Sequence, residues 1–326
     1  MMNPVNCLRK DFITPSEEEA ELLQQPVKNW YTVEVKPPRD HDTPETLNGF
    51  VRGILELQSA WFGLQNISPV TSYEIRRPTP ETLRFQYSAP TKRLERKIRT
   101  QLADQIPRAG FTEGVDGIPA NSEESLGGGL LTTGRRDWFT LETGLDEPPI
   151  NALVSMLHRH SMQDTRFIIQ ILFQPINGQP IRNWWWRKRA YRNRNYLTKQ
   201  KEKLWGSIQP TRREKSQAHN VDQKTANSRY YTTIRFLLIG AEEHTPSRIK
   251  ELASSFNRFE NPETGQYLDA VTIQTFRRKS ILDFAEAVAN RRFAGWSRKF
   301  RTTTEELAGL ISLPSRQQDN IHCSQP

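Results

Sequence analysis

Cysteine is scarce in this chain: Cys7 and Cys323 stand at opposite ends of 326 residues. Two thiols so placed form neither a disulfide framework nor a zinc pair. The six histidines are scattered, without the tight Cys/His spacing of a metal cluster. Long apolar runs are missing too. FIIQILF (167–173) and FLLIG (236–240) are the longest, well short of the roughly 20 residues a spanning helix needs. The N-terminus carries no apolar stretch followed by a small-residue cleavage site. A cytoplasmic protein is expected, free or at the inner face of the membrane.

Catalytic signatures are equally thin. GLLTTGRRD (129–137) has the glycine spacing of a phosphate-binding loop. Arg135, however, stands where that loop needs lysine, and Arg136 where it needs a hydroxyl for magnesium. It reads as linker, and the chain is expected not to hydrolyse ATP by itself. LHRH (157–160) pairs two histidines around one residue, as in metal-dependent single-strand endonucleases with a catalytic tyrosine, for which Tyr230 and Tyr231 would be candidates. Basic groups at the end of an amphipathic helix are also what its late carbonyls favour. AEEH (241–244) offers two carboxylates and an imidazole, a set that caps and solvates a helix start as readily as it moves protons. The residues thus point to no catalytic group, no cofactor and no metal.

Acidic charge is short in one segment only. The chain carries 46 Lys/Arg against 37 Asp/Glu. Residues 182–229 hold 14 of the former and 3 of the latter, so the remainder has 32 against 34 and is close to neutral. The excess positive charge therefore belongs to one place. There NWWWRKRAYRNRNYLTKQKEKLWG (183–206) lacks proline and strand alternation, predicting a long helix. TRREKSQAHNVDQKTANSR predicts a second helix returning antiparallel. Trp184, Trp185, Arg187, Lys188, Arg189, Arg192, Arg194, Lys199, Lys201 and Lys203 form the candidate contact surface. Aromatics interleaved with cations suit phosphate contact and base stacking. They also suit an acidic protein groove, an anionic membrane surface, or a solvated structural arm. Three consecutive tryptophans point in three directions on a helix, so at least one is expected to pack inward.

The flanking sequence is patterned for an α+β core. After a polar tail (1–28), WYTVEVK (30–36) alternates as a strand. Leu47, Phe50, Val51, Ile54 and Leu55 follow at helical spacing. TSYEIRRP and TLRFQYSA read as paired strands, and Leu94, Ile98, Leu102 and Ile106 mark a second helix. RAGFTEGV supplies an edge strand. Strand, helix, strand, strand, helix, strand is the ferredoxin-like order, assigned to 29–118. A Gly/Ser-rich linker is expected at 119–135. The same order then restarts at RDWFTLET (136–143) and runs to 279: EPPINALVSMLHRH, TRFIIQILFQP, RYYTTIRFLLIG, TPSRIKELASSFNRF and LDAVTIQTF. The basic hairpin, 182–229, interrupts this second module. Residues 280–326 are expected to be helices and a connector, with Thr304 capping the last helix and Leu313-Pro314 directing the chain outward.

WYTVEVKPP, EPPINALVSMLHRH with RFIIQILFQP, the basic hairpin, TPSRIKELASSFNRFENPETGQYLDAV and TEELAGLISLP together resemble the N-terminal, non-motor region of HerA-like conjugative-transfer ATPases of archaeal mobile elements. The resemblance spans about residues 30 to 326. It implies two α+β modules and a RecA-like motor beyond Pro326 or in a separate chain. It also implies a non-catalytic adaptor that docks an oligomeric DNA motor to DNA or to a membrane-associated transfer complex. The alternative is a freestanding nucleic-acid-binding protein.

Overall fold

The computed structural model describes residues 9–38, 44, 46–157, 162, 164–203, 206–294 and 298–315, with backbone alone at 201–203 and 206–208. Its first half contains β1 (Phe12–Ile13), α1 (Glu17–Gln24), β2 (Tyr31–Lys36), α2 (Asn48–Gly53) and the short hairpin β3 (Ser59–Ala60) and β4 (Gln65–Asn66). It continues with β5 (Thr71–Thr79), β6 (Thr82–Ala89), α3 (Lys92–Gln105) and β7 (Gly110–Glu113). The second half holds β8 (Leu126–Thr133), α4 (Ile150–Met156), β9 (Arg166–Pro175), α5 (Pro180–Thr198), β10 (Lys201–Lys203), β11 (Gly206–Ile208) and α6 (Arg212–Ala226). Then come β12 (Arg229–Ile239), α7 (Thr245–Ser254), β13 (Leu268–Thr272), α8 (Arg278–Ala289), β14 (Phe300–Thr303) and α9 (Thr304–Leu310).

Among the described residues, ten strands form one antiparallel sheet, whose main path runs β1-β8-β12-β9-β5-β6-β2-β7. Here β13 extends along β8 beyond β1, and β14 pairs the first residues of β12. The halves join where β5 pairs β9, from Thr71↔Phe173 to Arg77↔Phe167. Alternation along the strands gives the sheet two covered faces. Tyr73, Ile75, Phe85, Tyr87, Ile169, Ile171 and Phe236 meet the apolar stripes of α2, α3, α4, α7 and α9 in the main core. On the opposite face Ile168, Leu237 and Ile239 meet Leu23 of α1 and Phe284 and Val288 of α8. Among the described residues, no helix is long and apolar enough to cross a membrane.

Several expectations require correction. The strand expected over 136–143 is absent. Its place is taken by β8, inside the expected linker at 119–135. Glycine weakens a strand in isolation, yet here Gly127, Gly128 and Gly129 admit close neighbours. A Cβ would meet Thr245 at 2.5 Å, Phe284 at 2.2 Å and Ile249 at 2.8 Å, so helices press on β8 from both faces. The described part of the N-terminal tail is likewise built in. β1 pairs β8, Leu23 is fully buried, and Arg278 bonds the Glu19 carboxylate. The last helix is capped by Thr303 rather than Thr304, with Glu306 closing a capping box. Leu313 and Pro314 are buried rather than directed outward, and Tyr73 and Tyr87 donate to the carbonyls of Ser312 and Ile311 at 2.7 and 2.6 Å. The long basic helix ends at Thr198. A two-stranded hairpin, β10–β11, joins it to α6.

Candidate functional site

The arm is an antiparallel pair, α5 and α6, inserted between β9 and β12. Its interior is small: Ala190 and Leu197 of α5 pack with Ala218 and Val221 of α6 and with Phe139. Trp186 is the tryptophan that faces inward. Its indole N–H donates to Asp137 Oδ1 at 2.8 Å, and the Arg229 and Arg301 guanidiniums each stand 4.7 Å from its ring centroid. Arg229 in turn donates to the carbonyls of Lys224 and Thr225, satisfying late carbonyls of α6. Burial, with the charges of Arg187 and Arg301 adding to it, lowers Arg229 to about 10. At the other end of α6 a Thr211–Glu214 capping box holds the first turn.

The outward surface of α5 carries the charge. Arg187, Arg189, Arg192 and Lys199 are exposed, and none has an ion pair among the described residues. Arg194 is half-buried and sits 3.4 Å from Asp222, so α6 neutralises part of its charge. Trp184 and Trp185 are about half exposed and pack edge to face, with Lys188 Nζ 4.4 Å and 5.6 Å from their ring centroids. The side chains of Lys201 and Lys203 lie outside the described residues. A cleft of about 600 Å³ opens beside the arm's base, with Arg135, Arg136, Asn193 and Lys299 in its wall.

A second charged cluster centres on the buried Glu74, where the halves join, with Asp116 at its partly exposed edge. Glu74 on β5 lies between Gln86 of β6 and Gln170 of β9 in the sheet register, and both amides donate to it at 2.8 Å. Arg76 Nε and Arg291 Nε reach the same carboxylate at 2.9 and 2.7 Å, and Arg291 also bonds Asp116. Burial by itself would raise Glu74, but the charges of Arg291 and Arg76 outweigh it and hold the carboxyl well below its usual range. Arg235 bonds Gln170 and the carbonyls of Ala287 and Arg292, and burial lowers it to about 9. Glu74 itself has no exposure to solvent. The cluster satisfies a row of polar side chains that the sheet would otherwise bury unpaired.

The other sequence candidates do not assemble with these groups. His158 and His160 lie outside the described residues. Glu242, Glu243 and His244 form an exposed 3₁₀ turn between β12 and α7. Tyr230 is buried, its hydroxyl donating to the Val51 carbonyl, while Tyr231 donates to Gln179 Oε1. Arg135 covers the Phe139 ring at 4.0 Å and bonds the Thr264 carbonyl. Among the described residues, no group of three or more His, Cys, Asp or Glu could hold a metal ion.

The β3–β4 hairpin carried no expectation from sequence, although AWFGL stands out as an apolar run outside any periodic segment. The matching family model covers residues 6–326 and is described as a domain of unknown function, DUF8128. The chain belongs to that family. A comparison with curated proteins finds no match.

Proposed function

We propose that this chain is a non-catalytic adaptor that contacts DNA through the α5–α6 arm, as an accessory region of a HerA-like DNA-translocating ATPase. The observation that carries the reading is the exposed set of Arg187, Arg189 and Arg192 on α5 with Lys199 just past its end. Four exposed cations without a carboxylate partner among the described residues release counterions when they meet phosphates, and that release drives association. The adjacent Trp184 and Trp185 faces add stacking surface for single-stranded bases. Trp186, held between two arginines, keeps the arm attached to the sheet. Two tandem ferredoxin-like modules form the platform in this reading. It is supported by the strand orders β7-β2-β6-β5 and β13-β8-β12-β9, which repeat the same arrangement of first, second, third and fourth strands in each half.

The test is DNA affinity of the purified chain across a salt series. The logarithm of the association constant falls linearly with the logarithm of salt concentration. Replacing Arg187, Arg189, Arg192 and Lys199 by alanine lowers the slope by about 0.9 for each lost phosphate contact on duplex DNA. Negligible affinity at low salt, or an unchanged slope in the variant, removes DNA as the partner of the arm.

A further inference from the structure

The β3–β4 hairpin inserts between α2 and β5 and presents its apolar residues to solvent. Phe62 is fully exposed, Trp61 is 75% exposed, and Leu64 and Leu57 are more than half exposed. The turn is unfavourable for these residues. Trp61 and Phe62 have φ of 52° and 54°, followed by Gly63 at 85°, and Leu64 N–H closes the turn on the Trp61 carbonyl at 3.1 Å. Hairpin turns with positive φ at both central positions favour Asn and Gly, because a larger side chain crowds the following carbonyl. Phe62 occupies the first central position before Gly63, Trp61 ahead of it also takes a positive φ, and both aromatics stay mostly exposed. Backbone strain that presents an exposed side chain points toward a role outside folding.

The hairpin is seated where α5 begins. Gln179 N–H donates to the Gly63 carbonyl at 2.8 Å, and Asn66 Nδ2 donates to the Pro175 carbonyl at 2.8 Å. Gly178 is required at this contact, because a Cβ would stand 2.3 Å from the Gly63 oxygen. Exposed Ile181, Trp184 and Trp185 follow in the first turns of α5, directly after the Gln179 contact with the hairpin. Positive charge rims this surface. Arg182 and Lys299 both lie over the Tyr231 ring, at 5.3 and 5.9 Å, and Lys188 lies over Trp184 and Trp185.

We infer that the Trp61–Leu64 tip is a wedge that enters the headgroup region of an anionic lipid bilayer, with Arg182, Lys188 and Lys299 on the surrounding lipid phosphates. A bilayer offers what both parts of the surface need, an apolar phase below a layer of negative charge. Trp and Phe flanked by Lys and Arg are the residues that anchor proteins at that boundary. Duplex DNA supplies the charge without an apolar phase for Leu64 and Ile181. A second copy of this chain would set one positive rim against another. The hairpin tip takes no part in the DNA reading, whereas Trp184 and Trp185 belong to both surfaces, so the test of the inference is placed on the tip.

The experiment is co-flotation of the purified full chain with phosphatidylcholine vesicles, with and without phosphatidylglycerol. The variants are Trp61→Asn/Phe62→Asn and Arg182→Ala/Lys299→Ala. The unmodified chain floats with the anionic vesicles and less so as salt is raised. The hairpin variant partitions on the order of tenfold more weakly or worse. Its DNA affinity and thermal midpoint do not fall, which separates loss of lipid binding from misfolding and from failure of the arm. The charge variant weakens binding to anionic vesicles alone. No flotation at low salt overturns the inference, as does flotation that the hairpin variant leaves intact, because arm charge alone would then account for it. An oligomer in light scattering that the hairpin variant dissociates, with no lipid binding, assigns the tip to self-association and also overturns it.

Discussion

Lys224 Nζ lies 2.8 Å from Glu306 Oε1, and both side chains are shielded from solvent. The pair ties α6, the returning helix of the arm, to α9 near the end of the described chain. Glu306 also accepts N–H groups from Leu141 and Thr303, each at 2.7 Å, and Lys224 donates to the Phe139 carbonyl at 3.2 Å. The arm and the C-terminal helix therefore share one polar joint.

Breaking that joint from one side leaves a buried charge without its partner. Lys224→Met is expected to destabilise the protein by about 3–5 kcal/mol in denaturant unfolding. Hydrogen exchange should rise in α6 and α9 together. Faster exchange confined to α6 would show that the two helices are held independently.

The Glu74 cluster sets an acid limit. Its carboxyl titrates below the ordinary value of 4.5 because Arg291 and Arg76 outweigh the effect of burial. A carboxylate depressed by folding contributes its stability fully above its unfolded pKa and loses it as pH falls toward the folded value. Unfolding free energy should therefore decline below about pH 4.5. Glu74→Gln removes the carboxylate that Arg76 and Arg291 share, leaving them Asp116 as counter-charge, and costs about 3–5 kcal/mol near neutrality. That variant should also lose less on acidification. Equal acid sensitivity in both proteins would assign the decline to other carboxylates.

Glycine at 128 is a packing requirement. A Cβ there would stand 2.2 Å from Phe284 Cε1, so Gly128→Ala forces the ring or the strand to move, at about 1–3 kcal/mol. Adding Phe284→Leu should recover part of the loss caused by Gly128→Ala. Gly144→Ala, whose nearest atom is Glu142 Oε1 at 3.4 Å, serves as the control with little change. Thermal midpoints of the variants decide this.

The hairpin tip should respond in the opposite direction. Phe62 precedes Gly63 in a turn with both φ positive, so Phe62→Asn supplies the pair such turns favour. A gain of about 1 kcal/mol in denaturant unfolding is expected. A loss would mean that Phe62 packs against part of the chain and is not presented to solvent.

Local pattern determined much of this protein. Ile169, Ile171 and Phe173 alternate through β9, and Leu94, Ile98 and Leu102 stripe α3. The first part of the proline-free basic run, 183–198, became part of α5, and each of these signals lies within a few turns of chain. The charge on Arg187, Arg189 and Arg192 was equally plain, since exposed cations need no partner to be recognised. What lay beyond the sequence depended on residues far apart in it. Gly127–Gly129 read as a linker until Thr245, Ile249 and Phe284 are seen pressing on them from both faces. Leu23 looked like part of a tail because its neighbours Phe284 and Val288 come more than 250 residues later. Glu74 and Arg291 could not be paired from pattern, nor could Lys224 and Glu306. Periodicity reports which side of an element is apolar. Which buried charges meet, and which glycines must have no side chain, is decided only when the sheet brings distant strands and helices into contact.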